Sequence, residues 1–413
     1  RFINLDDPGE EDHPFEAFFK PQRNKFICGN HLYVHPRWSS PLEPSTSYAV
    51  IITRDMIYYD AELGQDVLPS RIDDTDALLA PSPPSGERML KAWNAYAPLR
   101  DWLDSADADL SRSDIVGAAV FTTADPTAII REIPAVVAEL DNPVDPVVHK
   151  DGAALAPNNV YICGKSTGED PCAVADEEEA DIEGAVASRG CPENPELLPY
   201  WEVHTRVDMP IFQEGFVNED EEDVAAGKIS LVPYQIPGSG GISLGADGVP
   251  QVEGYEKVCV SFSIPKTKAQ AEKDGLTAMN PPFEGVDPPE GGFPLLIFGH
   301  GTLGNYRNGV QHFAGMLGKR EIPMIVMGVD QPMHGPRRGK STENPGPLFY
   351  NLSNPAAAKG NLYQGASDNF TLVRFAKMFS DEAINDGEGL RIIALKRTIK
   401  INPERIFYKG HSQ

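Results

Sequence analysis

Basic residues are in short supply. The 413-residue chain sets 36 Lys and Arg against 61 Asp and Glu, a net charge of −25, which opposes binding to nucleic acid and attraction to anionic lipid surfaces. No apolar run reaches the roughly eighteen residues that a membrane helix requires, so no membrane span is expected. The opening Arg1 to His13 is polar, has no apolar core of the secretory-signal kind and does not begin with Met. The chain therefore reads as cut at its start.

Cysteine is sparse as well, five in all. Cys28-x-x-His31-x-x-x-His35 has ligand-like spacing, but Tyr33-Val34 reads as extended chain, Pro36 opposes a continuing helix, and no second cysteine pair completes a zinc site. Two acidic runs, Asp176-Glu177-Glu178-Glu179 with Asp181 and Glu183, and Glu219-Asp220-Glu221-Glu222-Asp223, lack the alternating spacing and turn glycine of a calcium loop. They read as solvated loops. No metal and no cofactor is expected, and no internal repeat is visible.

What the chain does have is length and apolar content enough for two or three domains. Tyr48 to Thr53 and Gly117 to Thr123 read as β-branched strands, with a helical insertion from about Gly86 to Leu103 whose apolar face is Met89, Leu90, Trp93, Tyr96 and Ala97. Residues 1–124 are thus expected to form a small β-sandwich-like domain of immunoglobulin or fibronectin type. Residues 125–199 read as an acidic linker region. It holds Cys163, Cys172 and Cys191, two of which are expected to pair in an oxidising environment, with the connectivity open.

From Trp201 onward the pattern changes. Glu202 to Met209 and Val258 to Ile264 alternate as half-buried antiparallel strands do. Phe293 to Phe298 and Ile322 to Val329 are apolar runs of buried-strand type, separated by helical spacing over Val310 to Lys319. A long amphipathic stretch covers about Ala356 to Ala376, a second helical segment lies near Leu390 to Lys400, and Arg405 to Tyr408 reads as a last strand. Strand, helix, strand, helix, strand argues for an α/β domain with a parallel sheet over 200–413.

Three strand exits carry chemistry: His300-Gly301-Thr302, then Asp330 with His334-Gly335, then Gly410-His411-Ser412-Gln413, which is four fifths of GxSxG. In this order they resemble the third, fourth and fifth strand exits of an α/β-hydrolase, and in more detail the large secreted bacterial lipase-like and esterase-like proteins with a β-rich N-terminal region. The stretch from Asn354 through Gln364 and Asp368 is similar to the helix before the nucleophile strand in those proteins. The resemblance implies a serine carboxylic-ester hydrolase acting through an acyl-serine intermediate on a small-molecule or lipid ester. It also implies an extracellular, cell-surface or periplasmic location.

By the same resemblance Ser412 is the nucleophile, and the backbone N–H groups of Gln413 and Thr302 form the oxyanion hole. Gly301, Gly410, His300 and Asp330 support them. Base and acid follow the nucleophile in the family's order, so the chain reads as ending before them and is expected to show no appreciable turnover by itself. His411 is disfavoured as a substitute base, because the neighbour in a tight turn cannot easily bring its ring back to the hydroxyl. His300 and His334 read as structural, and Asp330 as bracing its loop. Two alternatives stay open: a serine peptidase of the same fold, and a noncatalytic binding protein on a hydrolase scaffold.

Overall fold

The computed structural model describes residues 1–25, 27–29, 31–60, 63–71, 73–140, 160–172, 189–217, 230–231, 238–338, 341, 343–380, 390–392 and 395–412. Both acidic runs and Gln413 lie outside these. The chain divides into two compact units, Arg1–Thr127 and Ala128–Gln413.

The first unit contains β1 (Phe2–Asn4), β2 (Phe15–Lys20), β3 (His31–Pro36), β4 (Ser47–Thr53), β5 (Tyr58–Asp60), β6 (Gln65–Val67), helices α1 (Asp73–Leu79), α2 (Glu87–Ala95) and α3 (Ala97–Leu103), and β7 (Ile115–Thr122). Strands β1, β4 and β7 form an antiparallel sheet, while β2–β3 and β5–β6 are separate two-stranded hairpins. The expected sandwich is corrected here. The sheet is covered by helices, with Leu79 of α1 and Leu99 and Trp102 of α3 packed on Ile3, Ala49, Ile51 and Ile115. One apolar sheet face needs one covering layer, and α1 together with α3 of the expected insertion supplies it. The insertion is two helices, and α2 buries no side chain.

The second unit begins with α4 (Ala128–Glu139) and β8 (Val160–Ile162), both from the stretch read as a linker. Then come β9 (Tyr200–Ile211), β10 (Phe216–Val217), β11 (Ser230–Leu231), β12 (Gly254–Pro265), α5 (Lys268–Lys273), β13 (Phe293–Gly299), a π-helical turn Val310–Ala314 leading into α6 (Gly315–Leu317), β14 (Ile325–Val329), α7 (Pro345–Tyr350), α8 (Pro355–Met378), β15 (Leu390–Ile392), β16 (Arg397–Ile399) and β17 (Ile401–Gly410).

A six-stranded mixed sheet in the order β17-β13-β14-β12-β9-β8 organises this unit. Strands β13, β14 and β17 run parallel, while β12 is antiparallel to both β14 and β9. Strand β13 is buried throughout, which is why it reads as an unbroken apolar run. Its side chains alternate between layers: Leu295 and Ile297 join the core under Leu372 and Phe375 of α8, and Leu296 joins Val310 and Ala314 on the other face. The pairing of β13 with β17 has one irregularity, between Phe293 and Leu295. From Leu295↔Ile406 to Gly299↔Gly410 it is regular.

Helix α8 is capped by Asn354, whose side chain accepts from the Ala357 N–H at 3.4 Å. Its buried stripe is polar in the first half. Gln364 accepts from Phe212 N at 2.9 Å and donates to Pro210 O at 2.9 Å, and Asn361 donates to Phe349 O at 2.8 Å. Helix α4 packs on α8, and Arg374 caps its last carbonyls through Val137 O at 2.7 Å and Leu140 O at 2.8 Å.

The helical expectation for 390–400 is overturned. Strands β15 and β16 pair antiparallel from Leu390↔Ile399 to Ile392↔Arg397, with Lys396 in the turn at φ 51°. Ile392 and Ile399 are both buried in the core, and so short an apolar pattern fits period two as well as 3.6.

Two disulfides fasten the cysteine-bearing stretch. Cys163 pairs with Cys191, and Cys172 with Cys259 of β12, a partner from outside that stretch. Among the described residues no helix is long and apolar enough to cross a membrane.

Candidate active site

The exits of β13 and β17 lie side by side. Gly299 and Gly410 are register partners, and His411 N donates to Gly299 O at 3.0 Å, extending the ladder past the strand ends. The next step of each chain makes contact. A Cβ on Gly301 would stand 2.6 Å from Ser412 Cβ and 2.9 Å from His411 O, so only glycine leaves room for the serine corner. Ser412 has φ 71°, a left-handed backbone that a non-glycine residue adopts at a cost of roughly 1–3 kcal/mol. Its side chain is exposed, and among the described residues its hydroxyl has no hydrogen-bond partner.

After Gly301 the chain turns tightly, with Gly304 N donating to Gly301 O at 2.9 Å and Leu303 at φ 69°. Thr302 sits at the head of this turn, its hydroxyl 3.4 Å from that of Tyr350. Its N–H donates to no group among the described residues. Gln413, the other expected oxyanion donor, lies outside them.

His300 is buried, and both ring nitrogens are occupied. Nε2 accepts from Gln331 N at 3.0 Å, which leaves the proton on Nδ1, facing Gly301 O at 2.8 Å. Burial holds its pKa down at about 4, so the ring is neutral and ties the β13 exit to the β14 exit. His334 packs edge-on against it, ring centroids 4.8 Å apart, and donates from Nδ1 to Pro332 O at 2.9 Å. Burial, and then the neighbouring His300, hold His334 at about 3.

Asp330, directly after β14, is fully buried. It faces Arg189 through two hydrogen bonds, one of 3.0 Å between Nη1 and Oδ1, and accepts from Tyr306 N at 3.0 Å. Burial pushes its carboxyl up, but the Arg189 guanidinium outweighs that and holds it below the usual carboxylate range. Gly335 makes room for the pair. At φ 53° it presents bare backbone to Arg189, whose Nη1 would stand 2.5 Å from any Cβ there.

Behind these groups lies a polar network that the sequence reading missed. Arg337 donates to Glu256 at 2.9 Å, to Asp368 at 2.5 Å and to Asp330 O at 2.9 Å, all buried. Burial raises both Glu256 and Asp368 above their usual range. Beyond Arg189, the Tyr306 hydroxyl donates to the Arg189 carbonyl. His204 bridges Asp170 at 2.6 Å and Glu202 at 3.0 Å, and Arg307 clasps Glu202 at 2.6 and 2.9 Å. Burial opposes a charged His204, yet the two carboxylates outweigh it and raise its pKa.

The sulfurs of Cys163 and Cys191 lie within 4.8 Å of a His204 ring nitrogen. Because the sulfurs are joined as a disulfide and both His204 nitrogens face carboxylates, this group presents no open ligand set. An apolar cleft of about 520 Å³ opens beside the two corners, between α8 and β17, lined by Ile297, Gly299, Phe370, Val373, Phe407 and Tyr408 among others.

In chemical terms the corner presents an exposed hydroxyl held in a strained turn, next to a second turn with an undirected N–H. Comparison with protein-family models, with curated proteins and with solved structures found no match.

Proposed function

We propose that the chain carries the nucleophile and oxyanion side of an α/β-hydrolase centre, and that the protein is a serine ester hydrolase working through an acyl-serine intermediate. The single observation that carries this reading is Ser412 at φ 71°, at the exit of β17 and against Gly301 of the β13 exit. A strained strand-to-turn corner is one way to present a serine hydroxyl to an acyl carbon, and Ser412 is exposed there. The order β9-β12-β14-β13-β17, with β12 alone reversed among the last four, supports the fold assignment.

In this scheme Ser412 Oγ attacks the ester carbonyl, and the oxyanion that develops is met by the N–H groups of Thr302 and Gln413. Each such donor is worth about 2.7–4 kcal/mol in the transition state. The serine proton passes to a histidine base, a role His300 cannot fill because both of its ring nitrogens are engaged. The two disulfides fit an extracellular or periplasmic location.

The test is a fluorophosphonate probe on the native full-length protein, followed by peptide mapping. Modification at Ser412 that vanishes in Ser412→Ala is the expected result. A probe that leaves Ser412 untouched would favour a noncatalytic scaffold.

A further inference from the structure

The β2–β3 hairpin belongs to neither sheet of any size, and none of its residues is fully buried. Its register places Ala17 with Val34 and Phe19 with Leu32 on one face, and Phe18 with Tyr33 and Glu16 with His35 on the other. The first face is a wholly apolar strip, and none of its residues is part of the core of its unit. Phe18 is 49% exposed, Phe19 59%, and Trp38, just past the hairpin, 82%. A lone two-stranded hairpin with apolar residues in water on both faces is at best marginally stable, so its composition needs a second explanation.

Charge supplies it. Between Ala17 and Leu42 there is no Asp or Glu, while Lys20, Arg23, Lys25 and Arg37 are all exposed. In a chain of net charge −25, a stretch with four cations and no anion is a local reversal of sign. The cations flank the aromatics: Lys20 Nζ lies 5.2 Å from the Tyr33 ring, Phe18 stacks on His35 at 5.6 Å, and Trp38 lies edge-on to that ring at 6.2 Å.

We propose that this hairpin docks the protein on an anionic lipid bilayer. Cations within a Debye length of the surface meet the headgroups, and the aromatic and aliphatic side chains enter the headgroup boundary. Phe19, Ile27, Leu32 and Val34 have no polar edge, which suits hydrocarbon and offers nothing to a sugar hydroxyl or a base edge. Trp38 and Tyr33 have the apolar body and polar tip that favour the interface itself. The whole-chain charge, which argues against lipid attraction, is an average that this stretch, with four of the 36 Lys and Arg and no Asp or Glu, departs from. The proposal stands independently of the ester-hydrolase reading, because binding is measured without substrate.

Cys28, in the hairpin loop, is exposed and is the one free cysteine among the described residues, so the site can be labelled directly. A polarity-sensitive fluorophore on Cys28 of the full chain is titrated with phosphatidylcholine vesicles, with and without phosphatidylglycerol, and unlabelled protein is co-sedimented with the same vesicles. The expected result is a blue shift and co-sedimentation with the phosphatidylglycerol vesicles only, weakened by salt. Replacing Lys20, Arg23 and Lys25 together by Gln weakens binding on the order of a hundredfold, from roughly fivefold per cation. Phe19→Ser with Trp38→Ser abolishes the blue shift while leaving thermal unfolding unchanged, since both side chains are exposed.

Three results would overturn the proposal. One is no response to anionic vesicles at low salt. Another is a response that the Gln and Ser variants do not alter. The third is a blue shift without lipid that grows with protein concentration, which assigns the hairpin to a second copy of the chain.

Discussion

Gly301 and Ser412 are in contact across two strand exits, so close that one added methyl on the glycine would stand 2.6 Å from the serine Cβ. The serine's position is therefore set from outside its own strand. Gly301→Ala is expected to displace the corner and slow fluorophosphonate labelling of Ser412 in the native full-length protein by about ten- to a hundredfold. Its unfolding transition should change far less, because the displaced corner is exposed. Labelling at the unaltered rate would show that the corner tolerates the methyl and that the contact has no bearing on reactivity.

With neither His300 nor His411 placed to act as its base, Ser412 is expected to drive no hydrolysis of p-nitrophenyl acetate by the 413-residue chain. His300 has both nitrogens engaged, and the His411 backbone is pinned to Gly299. Measured turnover that disappears in Ser412→Ala would show that one of these rings, His411 first, reaches the hydroxyl after all.

Removing the guanidinium opposite Asp330 should be severe. Arg189→Met leaves a fully buried carboxylate without its countercharge, a loss of about 3–5 kcal/mol in a urea denaturation. Adding Asp330→Asn should recover a large part of it, since the stranded charge is then gone. No recovery would mean that Arg189 acts through packing on Tyr306 and not through charge.

Stability should peak near neutral pH, with different residues shaping each limb. His204 has a raised folded pKa, so its contribution is complete below the ordinary histidine value of about 6.5 and is lost as pH rises through the folded value. His300 and His334 have depressed values, so their contributions are complete above about 6.5 and are lost as pH falls toward about 4 and about 3. Urea midpoints measured across this range in the parent and in His204→Gln are the check. The variant should lose the alkaline decline and keep the acid one.

Reducing the disulfides should destabilise the second unit. By loop-closure entropy the Cys163–Cys191 link, spanning 28 residues, contributes roughly 3–4 kcal/mol, and it also holds the segment bearing Arg189. Cys163→Ser with Cys191→Ser should lower the unfolding midpoint accordingly. An unchanged midpoint would mean that burial alone retains that segment.

The strand exits are legible in the sequence because their signals are local: a short apolar run, then glycines, within a few residues. So is α8, whose cap and length survive even though Asn361, Gln364 and Asp368 make half of its buried stripe polar. The network behind the site is not legible. Arg189 stands in a stretch rich in small and acidic residues and meets an aspartate 141 positions away, and nothing beside either residue marks the other. Cys259 is hidden for the opposite reason, since inside a buried strand it reads as one more small apolar residue. Of the helices covering the first sheet, α3 is visible within the insertion and α1 is not. Their role as its second layer depends on Leu79, Leu99 and Trp102 meeting β4 in space, which spacing alone does not specify.

The irregular pairing of β17 with β13 lies near Phe293, at the far end of the ladder from the serine. A slip of one residue would turn every side chain of β17 to the opposite side of the sheet and carry Ser412 away from Gly301. Placing the slack at the upstream end means that chain-length changes in the Ile401–Arg405 segment are absorbed before Ile406. Insertions there should leave the hydroxyl facing the same way, whereas a single deletion between Phe407 and Gly410 would silence it without unfolding the domain.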